Sequence, residues 1–173
     1  MKKILIIIFV FFSIISCKKI ENFNKFELIY EFDLVIPENV YANTLVHLEE
    51  KPITISSEEF LKHNTSKDLL EKVYLKHLNI IIDNTSDNFD FLSTINVYIQ
   101  SENLPKVRIA WKEHFPDGFN RLELETLNDN ILPYLKKDNF VILIDIITVQ
   151  DLDYSIPVTV SSSFEIEAKV FEN

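Results

Sequence analysis

The sequence predicts a mainly β protein, a β-sandwich of about seven to nine strands with one or two short helices. Three observations carry this. Phe26, Leu28, Tyr30, Phe32, Leu34 and Ile36 alternate with residues that include Glu27, Glu31 and Asp33, the period of a half-buried strand. Between 73 and 149, apolar segments of strand length recur, separated by turn-forming residues, the layout of a sandwich. At the end, Ile156, Val158, Val160, Phe164, Ile166, Ala168 and Val170 hold a single phase.

In chain order, the first strand covers Phe26 to Ile36 and stops at Pro37, which has no N–H to give a ladder. Ser56-Ser57-Glu58-Glu59 has capping-box spacing, with Glu59 three residues after Ser56. A short helix over 57–63 follows, with Phe60 and Leu61 facing inward. Thr65 to Asp68 opens a further turn or two that ends near Lys72. "VYLKHLNIII" (73–82) is a strand, and "DNTSDN" breaks it. "TINVYIQ" (94–100) and "KVRIAW" (106–111) are strands joined by the turn "SENLP". Pro116-Asp117-Gly118 is a turn, and "RLELETL" (121–127) is the second arm of a hairpin with 106–111, its Glu123 and Glu125 on a solvated face. "NDNILPYLKKDN" connects through at most one helical turn. "FVILIDIITV" (140–149) is apolar on both faces and so reads as a central strand. A kink is expected at Ser161-Ser162-Ser163. With no repeat and no interior linker, residues 26–173 read as one domain.

The N-terminus is an address. Met1-Lys2-Lys3 precedes an apolar run, Ile4 to Ser16, broken only by serines, the layout of a secretory signal peptide. The run falls short of the roughly 20 apolar residues a spanning helix needs. It ends at Cys17, the one cysteine of the chain. Ile14-Ile15-Ser16-Cys17 resembles the lipobox of bacterial lipoproteins. That resemblance implies that residues 1–16 are removed, that the Cys17 thiol takes a diacylglycerol, and that the new amine is acylated, typically with palmitate. Residues 17–25 then form a lipidated tether reaching at most about 30 Å, and two or three acyl chains hold it to the membrane effectively permanently. An acylated Cys17 leaves no thiol for a disulfide, a nucleophile or a metal.

The formal net charge is −10. Without Lys2 and Lys3, 15 basic residues face 27 acidic ones, a net of −12. Such a surface argues against nucleic acid, whose affinity comes from neutralising phosphates, and against electrostatic adhesion to anionic lipid. Membrane contact is therefore expected through the Cys17 lipid. The acidity serves solubility first, and a basic partner is the sharper alternative. Gly118 is the only glycine, which excludes glycine-rich phosphate loops and dinucleotide-binding turns. No cofactor is expected.

The residues that carry chemistry are scattered. His47, His63, His77 and His114 stand at no metal-binding helical spacing. The stretch 83–90 offers carboxylates at Asp83, Asp87 and Asp90 as candidate calcium ligands. It lacks the EF-hand glycine and closing Glu, and Asp and Asn are ordinary turn formers, so a solvated loop is the expectation. Asp145 interrupts an apolar strand and is expected to point outward at a sheet edge or bulge. Trp111 and Tyr98 lie on adjacent strands. Trp111 is expected as a core anchor; exposed together, the two rings would stack on a sugar or clasp a peptide. No catalytic set emerges, and a non-enzymatic role is expected.

"FDFLSTINVYIQ", "VRIAW", "LELETLNDNILPYLKKDNFVILIDI" and "FEIEAKV" together look like the body of small lipoproteins of Bacteroidota, over residues 70–171. Those proteins resemble immunoglobulin-like sandwiches, so the resemblance implies an immunoglobulin-like β-sandwich here. In that phylum, lysine and acidic residues after the acylated Cys resemble a signal for export to the outer face, and Cys17-Lys18-Lys19-Ile20-Glu21 matches in part. The expected role is a lipid-anchored envelope protein, outer-membrane and either periplasmic or surface-facing, that binds or scaffolds an envelope protein partner. The alternative is an anchored inhibitor or immunity-type protein that covers a basic protein.

Overall fold

A computed structural model describes residues 23–50, 53–84, 86–137 and 139–171. The signal segment, Cys17 and residues 18–22 lie outside the described residues. Nine strands form two antiparallel sheets. They are β1 (Phe23–Ile36), β2 (Leu45–Glu49), β3 (Leu70–Ile82), β4 (Leu92–Ser101), β5 (Leu104–Glu113), β6 (Arg121–Glu123), β7 (Glu125–Thr126), β8 (Phe140–Thr148) and β9 (Ile156–Lys169). Two short helices, α1 (Ser57–Leu61) and α2 (Leu132–Leu135), and one 3₁₀ turn at Lys67–Leu69 complete the described structure. The mainly β sandwich read from the sequence is the fold the chain adopts.

One sheet has the order β1-β9-β3-β6 and the other β2-β8-β4-β5-β7. The pairings nest. First strand pairs with last (β1–β9), second with next to last (β2–β8), and then β3 with β6 and β4 with β5. Successive nested pairs fall in opposite sheets, so the chain is a double ribbon wrapped into a sandwich. That is the connectivity of a jelly roll, two Greek keys in eight strands, with β7 as a short addition. Within the sandwich class it refines the immunoglobulin-like expectation, whose sheets order their strands differently.

Burial follows the pleat. β9 turns Ile156, Val158, Val160, Phe164, Ile166 and Ala168 inward, and β1 turns Phe26, Leu28, Phe32 and Ile36 toward them. β4 adds Ile95, Val97 and Ile99, and β8 adds Ile142, Ile144 and Ile146. These residues belong to one apolar cluster between the sheets. Every buried side-chain nitrogen and oxygen among the described residues has a hydrogen-bond partner, as a stable interior requires.

Several local expectations are corrected. β1 starts at Phe23, which takes three residues from the tether. Ser56 makes no side-chain cap; the Glu59 N–H donates to the Ser56 carbonyl instead, and the Glu59 carboxylate pairs with Lys62. Phe60 is buried but Leu61 is exposed. Segment 121–127 is the expected hairpin arm only at Glu125–Thr126, which pair with Trp111 and Ala110. β6 pairs with β3 and β7 with β5, so the chain crosses from one sheet to the other at Leu124, whose N–H donates to the Leu78 carbonyl. Leu122 and Leu124 are both buried at this corner. β9 runs through its three serines, and the bulge lies in its neighbour, between Leu75 and His77 of β3.

With one glycine in the chain, asparagine supplies four of the five non-glycine left-handed positions among the described residues, and His114 the fifth. Asn39, Asn43, Asn64 and Asn103 all have φ near 60°, a region asparagine tolerates better than other non-glycine residues. Asn103 closes the two-residue connection of β4 and β5, where Ser101 pairs with Leu104. Gly118, at φ 77°, takes the turn after β5, and its N–H donates to Asp90 Oδ1 at 2.7 Å.

Candidate binding face

The outer face of the five-stranded sheet mixes aromatic, cationic, amide and carboxylate side chains. Register sets it out in rows. His47 of β2 lies beside Asp145 of β8, then Asn96 of β4, Trp111 of β5 and Glu125 of β7. The next row holds Glu49, Leu143, Tyr98 and Arg108. Val141, Leu143 and Ile147 of β8 are half-buried on this face, and Leu45 of β2 is exposed.

A bulge gives β5 this arrangement. Val97 pairs with Ala110 but Tyr98 pairs with Arg108, so Ile109 is an extra residue. Ile109 and Ala110 are both buried, and the phase of the strand reverses there. Strict alternation from Val107 and Ile109 would point Trp111 inward. The extra residue points it outward, half-buried, beside Arg108. The expectation of Trp111 as a core anchor is thereby corrected.

The side chains are tied together. His47 Nδ1 lies 2.7 Å from Asp145 Oδ1, and Lys106 Nζ donates to Asp145 Oδ2 at 3.1 Å. The Lys106 ammonium also sits 4.0 Å from the centre of the Tyr98 ring, a close cation–π contact. Arg108 Nη1 donates to Asn96 Oδ1 at 3.1 Å, and its guanidinium stands 5.6 Å from the Trp111 ring centre. Asp145 does point outward, but from an interior strand rather than from an edge or bulge. Beyond Gln100 and Val141 the face opens into a trough of about 740 Å³, lined also by Glu49, Ser101, Asn103 and Asn139.

Partial burial pushes the Asp145 carboxyl up, but the hydrogen bonds from His47 and Lys106 outweigh it and hold the group below the ordinary carboxylate range. A folded-state pKa below the unfolded one means that the ionised group favours folding. Its contribution is present above about pH 4 and is lost as the pH falls through the lowered value. Asp145→Asn is therefore expected to cost about 1 kcal/mol near neutrality. The difference from wild type should shrink as the pH falls below about 4, as read by urea unfolding at neutral and at acid pH.

The other candidates stay apart. Asp83 Oδ1 accepts from Thr159 Oγ1, Asp87 accepts from Asn84 Nδ2 and the Tyr154 hydroxyl, and Asp90 accepts from Gly118. Among the described residues, no three His, Cys, Asp or Glu side chains converge on a possible ion position. His63 stacks on Phe26 at 3.9 Å, and His77 pairs with Glu123 in the other sheet. The lipidation site, Cys17, lies outside the described residues. No described helix is long and apolar enough to cross a membrane.

The outer face of the four-stranded sheet differs in character. Glu167 is clamped by Lys25 at 2.5 Å and Lys72 at 3.2 Å, and these hydrogen bonds hold its carboxyl below the usual range. Lys76 meets Glu165. Farther along, Glu31 accepts from Ser161, Asp33 shares the Thr159 hydroxyl proton with Asp83, and neither Glu31 nor Asp33 has a lysine partner among the described residues.

Sequence reasoning missed Asn96, Lys106 and Arg108, and weighed His47 only as a metal ligand. Phase was the available signal: Asn96 and Tyr98 alternate with Ile95, Val97 and Ile99, which places both outward. The bulge left no such mark.

No protein-family model matches the chain, and no curated protein does. Among solved structures, the capsid protein of BFDV in a decameric form is similar at TM-score 0.40 and 11% identity, covering 86% of this chain and 100% of that one. Its 60-mer form gives 0.40 and 10%, covering 88% and 97%. The tomato aspermy virus structure gives 0.31 and 10%, covering 79% and 76%. At these scores the likeness carries no argument about what this chain binds or builds.

Proposed function

We propose that the chain is a lipid-anchored protein of the cell envelope that acts as a non-enzymatic binding module. It docks its partner on the outer face of the five-stranded sheet. The lipobox-like Ile14-Ile15-Ser16-Cys17 supports the anchor. The docking face rests on one observation: Trp111 and Tyr98 stand outward on adjacent strands among Arg108, Lys106, Asn96 and Asp145. Outward aromatic and arginine side chains are the residue types that carry binding energy at interfaces. The fixed sheet beneath them lowers the ordering cost of association.

A second reading has its own observation. The carboxylates of Glu31 and Asp33 on the four-stranded sheet, with exposed Ile29 beside them, suit an inhibitor or immunity-type protein covering a basic partner. A photo-crosslinking residue placed at 111 or at 29, in intact cells, separates the two. Adducts from position 111 and none from 29 are expected. Adducts from 29 alone would sink the first reading in favour of the second.

A further inference from the structure

We propose that the face around Trp111 binds a carboxylate-bearing glycan, a chain of the uronic-acid class. Trp111 is the stacking ring and Arg108 the carboxylate's partner. This deepens the docking-face reading above and rests on it.

Charge decides the class of ligand. Lys106 is neutralised by Asp145, and on the opposite sheet Lys25 and Lys72 meet Glu167 while Lys76 meets Glu165. Arg108 is exposed, and among the described residues no carboxylate pairs with it. Lys112, Arg121 and Lys136 also lack a carboxylate partner among the described residues, but of these four cations Arg108 is the one that stands beside an aromatic ring. Its guanidinium fork matches a carboxylate with two parallel hydrogen bonds.

Shape and polarity fit the rest of a sugar. Arg108 stands 5.6 Å from the Trp111 centroid, at the outer limit of a cation–π contact, while Lys106 covers Tyr98 at 4.0 Å. Trp111 therefore offers the more open ring to the C–H face of a pyranose. Asn96, on the same row, has both a donor and an acceptor for hydroxyl groups, and the Asp145 carboxylate adds acceptors. The trough continues from this face with Gln100, Ser101, Asn103 and Asn139 on its walls, beside the charged Glu49, Glu102 and Lys137. Further sugar units would find amide and hydroxyl partners there. An extended peptide would gain less, because the face of a sheet has no free backbone ladder to extend.

The test is calorimetric titration of the full-length chain in detergent micelles. The probes are an oligogalacturonate, a neutral malto-oligosaccharide and sodium acetate. Saturable binding of the oligogalacturonate alone is expected. Arg108→Gln and Trp111→Ala should each weaken it at least about tenfold, while Glu165→Ala on the opposite sheet leaves it unchanged. Arg108 is exposed, so its variant reports binding even if Trp111→Ala folds poorly. Equal binding of the neutral sugar, or unchanged binding by Arg108→Gln, overturns the carboxylate assignment. Acetate binding as tightly as the oligomer overturns the glycan. If no sugar binds while position 111 crosslinks to an envelope protein, the glycan inference falls and the docking face stands. If neither occurs, both fall.

Discussion

Phe164→Ala is expected to destabilise the domain by about 3–5 kcal/mol, a drop in melting temperature of roughly 6–20 °C for a domain of this size. Phe164 is 1% exposed. It sits on β9 between Leu28 of β1 and Leu75 of β3, both buried. Truncation removes the ring from the middle of the four-stranded sheet, and neighbours held in ladders on both sides cannot collapse into the space. Glu165→Ala next to it should cost under about 0.5 kcal/mol. Glu165 faces outward and meets Lys76 at 3.4 Å with both side chains partly solvated. Denaturant unfolding of the two variants side by side is the measurement. Equal losses would contradict the inward–outward assignment of β9.

Cys17→Ser is expected to abolish incorporation of labelled fatty acid and to leave the chain unprocessed or free in solution. The effect should be all or none, because the lipid supplies the whole of the attachment: each buried methylene adds about 0.8 kcal/mol, and two or more chains make release negligible. Net charge adds no second attraction, since the chain is acidic and anionic lipid repels it. Wild-type chain that takes up no label and fractionates as soluble would end the lipoprotein reading. Binding of a partner at position 111 can be measured independently of that outcome.

The fold was legible wherever a strand kept its phase against the core. β1 and β9 each show an apolar residue at every second position over most of their length, and β8 could be placed in a sheet interior because its outward positions, Val141, Leu143 and Ile147, are apolar too. β2 went unread. It is five residues long at a sheet edge, and only Val46 and Leu48 face inward, too few to show a period. The corner at Leu124 was hidden for another reason: the phase of 121–125 is regular, and only pairing partners reveal that the two halves belong to different sheets. The candidate face was half visible. Tyr98 and Trp111 were singled out by type, but a one-residue bulge decided the direction of Trp111. Bulges leave little trace in composition because the extra residue, Ile109, is itself apolar. Arg108 gained its interest only from standing beside Trp111 with no carboxylate paired to it among the described residues, a property of three-dimensional arrangement.

The nesting of the strand pairs governs the time at which the protein can become itself. β9, the last described strand, lies between β1 and β3, so most of the four-stranded sheet has no ladder until β9 has been made. A chain that appears N-terminus first must hold the apolar sides of β1 and β3 without their common partner until β9 emerges. Closing the first strand onto the last is also among the costliest loops a chain of this length can make, so folding should be slow for its size and concentrated in one late step. Until that step the unpaired edges of β1 and β3 are open to strands of other chains. The acidic residues along β1, Glu27, Glu31 and Asp33, then act as guards of an unfinished sheet, keeping neighbours from the place that β9 has yet to fill.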